Sequence, residues 1–233
     1  MITPQPASAA VEADGTGAST KERLLAAAAR LLVERGFGAV SIRAVTQAAG
    51  LSVSAAHYHF GSKDALIQEA LRSRIRPLTS LRLERLDAVE RAGSPTVESI
   101  VEAFLAPAVE FSAGLGDAAL SYRRLPASLH FVPMDTVRDL YEELFGKLVR
   151  RFLAALARAL PGRDRSDLEL AFQLCIGTMV HATAGRAEAF VRPGESIDAE
   201  RMQRCLVRFV ARGIEASCPV VGSAGEARPR GHP

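Results

Sequence analysis

Between residues 41 and 64 the chain reads SIRAVTQAAGLSVSAAHYHFGSKD, and this stretch restricts its folding more than any other. Ser41 offers a hydroxyl to the free amides that open a helix, and Ile42, Val45 and Ala49 then recur at the spacing of one inward helical face. Gly50 follows, a residue that enters the left-handed region at little cost and so turns the chain. Ser52 is placed to cap a second short helix reaching about Tyr58. Gly61-Ser62 breaks that helix and caps the start of another. Two short helices set at an angle across a glycine turn are the layout of a helix-turn-helix, in which the second helix lies in the DNA major groove.

The sequence around this stretch has helical periodicity as well. Thr20 is the expected cap of a first helix, in which Leu24, Leu25, Ala28, Leu31 and Leu32 share a face and which Gly36 stops. The helix opened by Ser62 continues past Leu71, with Pro77 expected to end or kink it. Further helices are expected over 96–112, from a short segment opened at 114–117, and over 134–160, 166–191 and 197–215. Gly93-Ser94-Pro95-Thr96, Pro133, Pro161-Gly162 and Pro193-Gly194 separate them. No run alternates with a period of two, so the fold class is all-α. Residues 1–18, rich in Ala, Pro, Ser, Thr and Gly, and residues 217–233, rich in Gly, Pro and Arg, are expected to be a disordered arm and tail. Residues 19–66 form the DNA-binding module on this reading, and 67–216 a helical body.

A chain of 233 residues is too long for the module alone and leaves room for a body with its own core. The formal net charge is only +3, but residues 21–76 hold nine basic and four acidic side chains, 9 − 4 = +5, leaving −2 elsewhere. A basic module on a slightly acidic body suits phosphate contact by the module. The three cysteines, Cys175, Cys205 and Cys218, are too few and too scattered for a disulfide framework or a zinc site, and are expected to be reduced thiols. A signal peptide and an 18-residue apolar span are both missing from the pattern, which points to the cytoplasm. An enzyme is the competing class, but the chain has no Gly-x-Ser-x-Gly, His-Glu-x-x-His, Walker loop or dinucleotide fingerprint.

Ala48-Ala49-Gly50-Leu51-Ser52, followed by Tyr58-His59-Phe60-Gly61-Ser62-Lys63-Asp64 and Leu66, resembles the TetR family of transcriptional regulators over about residues 20–70. The resemblance implies a homodimer with an N-terminal three-helix DNA-binding domain and a C-terminal domain for dimerisation and ligand binding. The implied partners are a double-stranded DNA operator and a small-molecule effector, with no cofactor or metal. One departure is His57, where many family members carry a tyrosine that touches DNA.

The candidate DNA contacts are Ser41, Arg43, Ser52, Ser54, Ala55, His57, Tyr58, His59 and Lys63. Ser41 and Arg43 open the helix that crosses the backbone in such modules. Ser52 and Ser54 are short donors at the start of the recognition helix, and Ala55, like Ala48, Ala49 and Ala56, permits close approach. His57 can donate to a phosphate or base edge, or pack as a capping histidine, as can His59. Lys63 adds an ammonium to a helix N-terminus, a favourable place for phosphate. Phe60 reads as a core anchor.

In the body, the helix over 166–191 is apolar nearly all round and the last helix carries a clean apolar stripe. Phe172, Ile176, Met202, Leu206, Phe209 and Val210 are the expected dimer face, with an ordinary monomer core as the alternative. A pocket between the central helices would draw on Phe104, Phe111, Tyr122, Arg123, His130, Phe131, Met134, Phe145, Met179 and His181, residues that would equally suit a plain helical core. The expectation is a sequence-specific regulator, a repressor released from a palindromic operator by a small, largely apolar ligand. The alternative is a DNA-binding regulator without such a ligand.

Overall fold

The computed structural model describes residues 18–114, 134–183 and 198–220. Helix α1 runs Thr20–Ala39, α2 Ile42–Ala49, α3 Val53–Phe60, α4 Lys63–Arg91 and α5 Val97–Gly114. Then come α6 (Met134–Tyr141), a π-helical turn (Glu142–Gly146), α7 (Lys147–Ala159), α8 (Arg165–Thr183) and α9 (Ala199–Ser217). Among the described residues there is no strand, only one isolated bridge between Arg163 and Val220.

Local capping chemistry sets most of these boundaries. Ser19, not Thr20, caps α1: its hydroxyl accepts from the Glu22 amide while the Glu22 carboxylate accepts from the Ser19 amide. This reciprocal box needs Ser and Glu three residues apart, which fixes the start one residue earlier than expected. Gly36 (φ 73°) breaks the helical geometry near the end of α1. Ser41, Ser52 and Ser62 cap α2, α3 and α4, accepting from the amides of Ala44, Ala55 and Ala65. Asp164 and Asp198 cap α8 and α9.

Two expectations change. Pro77 lies inside α4 without ending it. One lost hydrogen bond is outweighed because Ile75, Leu78 and Leu86 on either side are buried and keep the helix continuous. The long helix expected over 134–160 is interrupted by the π-helical turn, an extra residue per turn that shifts the register of the helix face. Cys218, just after α9, is fully buried.

The interior falls into two clusters joined by α4. The first packs Leu24, Ala28, Leu31 and Leu32 of α1 on Val45, Ala56, Leu66, Leu71 and Ile75, and Leu140 and Leu144 are also buried in it. The second gathers Leu86, Ile100, Phe104, Phe152, Phe172, Ile176, Leu206 and Val210 from α4, α5, α7, α8 and α9. Phe145, in the π-helical turn, packs against both. The expected boundary at 66/67 therefore falls inside a helix whose first half belongs to the first cluster and whose second half belongs to the other.

Candidate nucleic-acid interface

The turn between α2 and α3 is built from α1. Gly50 takes φ 64° and ψ 38°, and its amide donates back to Gln47 O. Arg23 Nη2 reaches across from α1 to donate to Ala49 O at 3.0 Å, supplying a partner for a carbonyl at the C-terminus of α2. Val45, Thr46 and Ala56 face inward, and their burial fixes which sides of α2 and α3 face out.

The outward side of α3 carries Val53, Ser54, His57 and Tyr58. Tyr58 is 85% exposed, an unusual amount for a tyrosine with no interior to serve. Its ring meets His59 edge to face at 5.2 Å between centroids. His57 Nδ1 lies 3.1 Å from Gly61 O, a contact that requires the proton on Nδ1. That bond leaves Nε2 of the neutral ring as an acceptor. Ser52 and Ser54 hydroxyls are 3.1 Å apart, and Ser52 also accepts from the Ala55 amide as the helix cap. Ala55 is half-buried and Phe60 packs against the first cluster.

Ser41 is occupied as a cap, and Arg43 beside it is exposed. Lys63 is half-buried as the first residue of α4, at the helix end where unpaired amides gather. Neither cation has an ion-pair partner among the described residues. Several other cations counted in the basic bias are held in ion pairs: Lys21 pairs with Glu69, and Arg72 and Arg76 pair with Glu143. The sequence reading missed Val53, 39% exposed at the first turn of α3. Its place one helical turn before His57 was the signal.

Two family models match. The model for bacterial regulatory proteins of the tetR family covers residues 24–70, and the tetracyclin repressor-like C-terminal domain model covers 102–213. The chain belongs to the TetR family of transcriptional regulators. Its members are DNA-binding regulators rather than enzymes. This TetR-family chain is 26% identical over 223 residues to the HTH-type transcriptional repressor KstR2 of Rhodococcus jostii, covering 91% of this chain and 98% of that protein. Its fold matches a TetR-family regulator from Shewanella sp. PV-4 with a TM-score of 0.61 at 16% identity, covering 87% of this chain and all of that one. A second match, from Rhodococcus sp., has a TM-score of 0.59 at 17% identity, covering 84% and 97%.

In the body of this TetR-family regulator, the expected pocket residues separate. Phe104 and Met179 are buried and meet at Arg82, whose Nη2 lies 2.8 Å from Met179 Sδ and whose guanidinium lies 4.2 Å over the Phe104 ring. His181 is exposed on α8, and Phe145 packs at the junction of the two clusters. Tyr122, Arg123, His130 and Phe131 lie outside the described residues. Phe111 and Met134 fall within α5 and α6, where only the backbone is described. Arg82 was missed by sequence, although it continues the stripe of Ile75, Leu78 and Leu86 at helical spacing.

The expected dimer residues divide as well. Phe172, Ile176, Leu206 and Val210 are turned into the chain's own core, and Met202 is half-buried. Phe209 is 69% exposed, and beside it Leu170 and Leu174 are exposed to 62% and 61%. The outward face of α8 and α9 is thus rotated from the expected stripe. An all-round apolar helix gives no rotational phase by sequence, and the aromatic cluster of Phe104, Phe152 and Phe172 decides it. A groove of about 350 Å³ runs between the two helices, lined by Leu174, Thr178, Phe209 and Gly213 among others. No helix among the described residues is long and apolar enough to cross a membrane.

Proposed function

We propose that this chain is a repressor that occupies a roughly palindromic operator as a homodimer and leaves it when a small, mostly apolar effector binds the body. The observation that carries the reading is the outward face of α3: Val53, Ser54, His57 and Tyr58 are exposed on a helix held rigidly by the Gly50 turn. An exposed aromatic, a ring nitrogen and a hydroxyl on one short helix suit base edges and phosphates. Arg43 and Lys63 flank that face and supply the phosphate charge. The similarity to a protein named as a repressor supports the direction of control.

Dimerisation through α8 and α9 is supported by Leu170, Leu174 and Phe209, three large apolar side chains exposed on adjacent helices. Gly177 and Gly213 have open space where a Cβ would stand, which lets a second copy come close. A two-fold pair would set its recognition helices about 34 Å apart, one turn of DNA. Release needs only that the effector bind better to the spacing that fits DNA poorly. The setting is the cytoplasm, where the operator is.

Fluorescence-anisotropy titration against a labelled duplex of the chain's own upstream region tests this, with random duplex at matched salt as reference. Preference for the upstream duplex is expected, with affinity for that duplex lowered by His57→Ala and by Lys63→Ala. Equal affinity for both duplexes overturns the reading.

A further inference from the structure

Among the described residues, Arg82 is a buried cation with no anionic partner. It is 3% exposed, in the middle of the second cluster. Its Nε donates to Phe104 O at 2.8 Å, and its Nη2 reaches Met179 Sδ at 2.8 Å. The Phe104 ring lies under the guanidinium. All three partners are neutral, and among the described residues no carboxylate pairs with it. A guanidinium carries five N–H donors, so these two bonds leave the fork only partly used. Three neighbouring arginines of α4 do meet carboxylates: Arg72 and Arg76 meet Glu143, and Arg85 meets Glu110.

The neighbouring thiol does not fill the gap. Burial pushes Cys175 up to about 12, so it stays a neutral thiol beside Arg82. The same burial lowers Arg82 to about 10, still far above neutral pH, so the charge persists. Leaving a lone charge in an apolar core is costly, and buried charges in folded proteins are normally paired.

We infer that Arg82 is the anchor for the effector, and that the effector carries a carboxylate on an apolar frame. The inference rests on the effector-released reading above. A monocarboxylate balances one guanidinium and matches its planar fork, whereas a doubly charged phosphate brings a larger desolvation cost into the same apolar site. The aromatic surround of Phe104, Phe152 and Phe172 suits the apolar part. The placement also connects binding to DNA. Arg82 belongs to the same helix as Lys63, about 28 Å further along at 1.5 Å per residue. It bridges that helix to α5 and α8, so an anion that draws on its donors changes how α4 is held.

The test uses the full chain, isothermal titration calorimetry and thermal melting. The probes are octanoate, dodecanoate, benzoate and 4-phenylbutyrate, each with its primary amide. At least one acid should bind, with its amide roughly tenfold weaker or worse. Arg82→Met should bind that acid no better than the amide, and Arg82→Lys should lie between. Without ligand, Arg82→Met should melt at or above the wild-type temperature, because a neutral side chain of similar length replaces an unpaired buried charge. The proposal is overturned if no acid binds, if amides match acids, if Arg82→Met keeps its affinity, or if it melts well below wild type. Operator anisotropy on the same samples separates the two readings. Release by amide and acid alike would leave the regulator standing without the Arg82 anchor. Acid-selective, Arg82-dependent binding by a chain that ignores its operator would do the reverse.

Discussion

Arg72 grips Glu143 with two prongs: its Nε and Nη2 donate to the carboxylate at 2.9 and 2.8 Å across 71 residues of chain. Arg76 adds a third donor at 2.8 Å. Glu143 stands in the π-helical turn, and Arg72 also lies 3.7 Å from Glu69, which pairs with Lys21 of α1. The chain of charges runs from the first helix of the DNA-binding module to the turn that carries Phe145 between the two cores.

This grip gives a pH signature. The Arg72 hydrogen bond, with Arg76 beside it, holds the Glu143 carboxyl down at about 2, from an ordinary 4.5. A depressed carboxylate stabilises the fold above its unfolded value, and that stability is lost as pH falls from 4.5 through about 2. Glu143 is 38% exposed, so solvent screening keeps the contribution under about 1 kcal/mol. Glu143→Gln should lower the melting temperature by a few degrees at neutral pH, about 2–4 °C per kcal/mol for a chain this size. The gap from wild type should narrow below about pH 4.5, and thermal melts across pH read it directly.

On the recognition helix, Tyr58→Ala should weaken operator binding roughly tenfold while leaving the melting temperature unchanged, since the side chain has no interior contacts to lose. Lys63→Ala should weaken binding to all duplexes alike and reduce the salt slope by about one. Anisotropy titrations at several salt concentrations distinguish the two effects.

For the α8–α9 face, Phe209→Asp should convert a dimer to a monomer with its helical content intact. Phe172→Ala should instead cost about 3–5 kcal/mol of stability, because that ring is buried at 3% exposure. Light scattering after size exclusion and thermal melts give opposite patterns for the two variants. A Phe209→Asp protein that remains dimeric would move the interface elsewhere.

At the turn, a Cβ added to Gly50 would meet only Arg23 Nη2, at an ordinary 3.5 Å. The cost of Gly50→Ala is therefore that of the left-handed backbone alone, about 1–2 kcal/mol. It should lower the melting temperature by several degrees and operator affinity with it, because the angle between α2 and α3 depends on that residue.

The module was legible because its determinants are local. Ser41, Ser52 and Ser62 each find a partner amide three residues on, and Gly50 turns the chain by its own backbone freedom. Ser19 displaced Thr20 as the first cap because the box with Glu22 needs two residues in register, which periodicity alone does not rank. Pro77 does not end α4, because the burial of Ile75, Leu78 and Leu86 depends on helices distant in sequence, which a local proline signal does not record.

By itself, the sequence determined an all-helical chain, a glycine-turned pair of short helices and a family, because caps, turns and helical periods act within a few residues. Only the tertiary structure decided that Leu140 and Leu144 complete the first core, that Phe209 faces out while Phe172 faces in, and that Arg82 is buried against Phe104. Those outcomes depend on which surfaces far apart in the chain exclude water from one another. That burial sums over several helices at once and leaves no fixed spacing to read in any one of them.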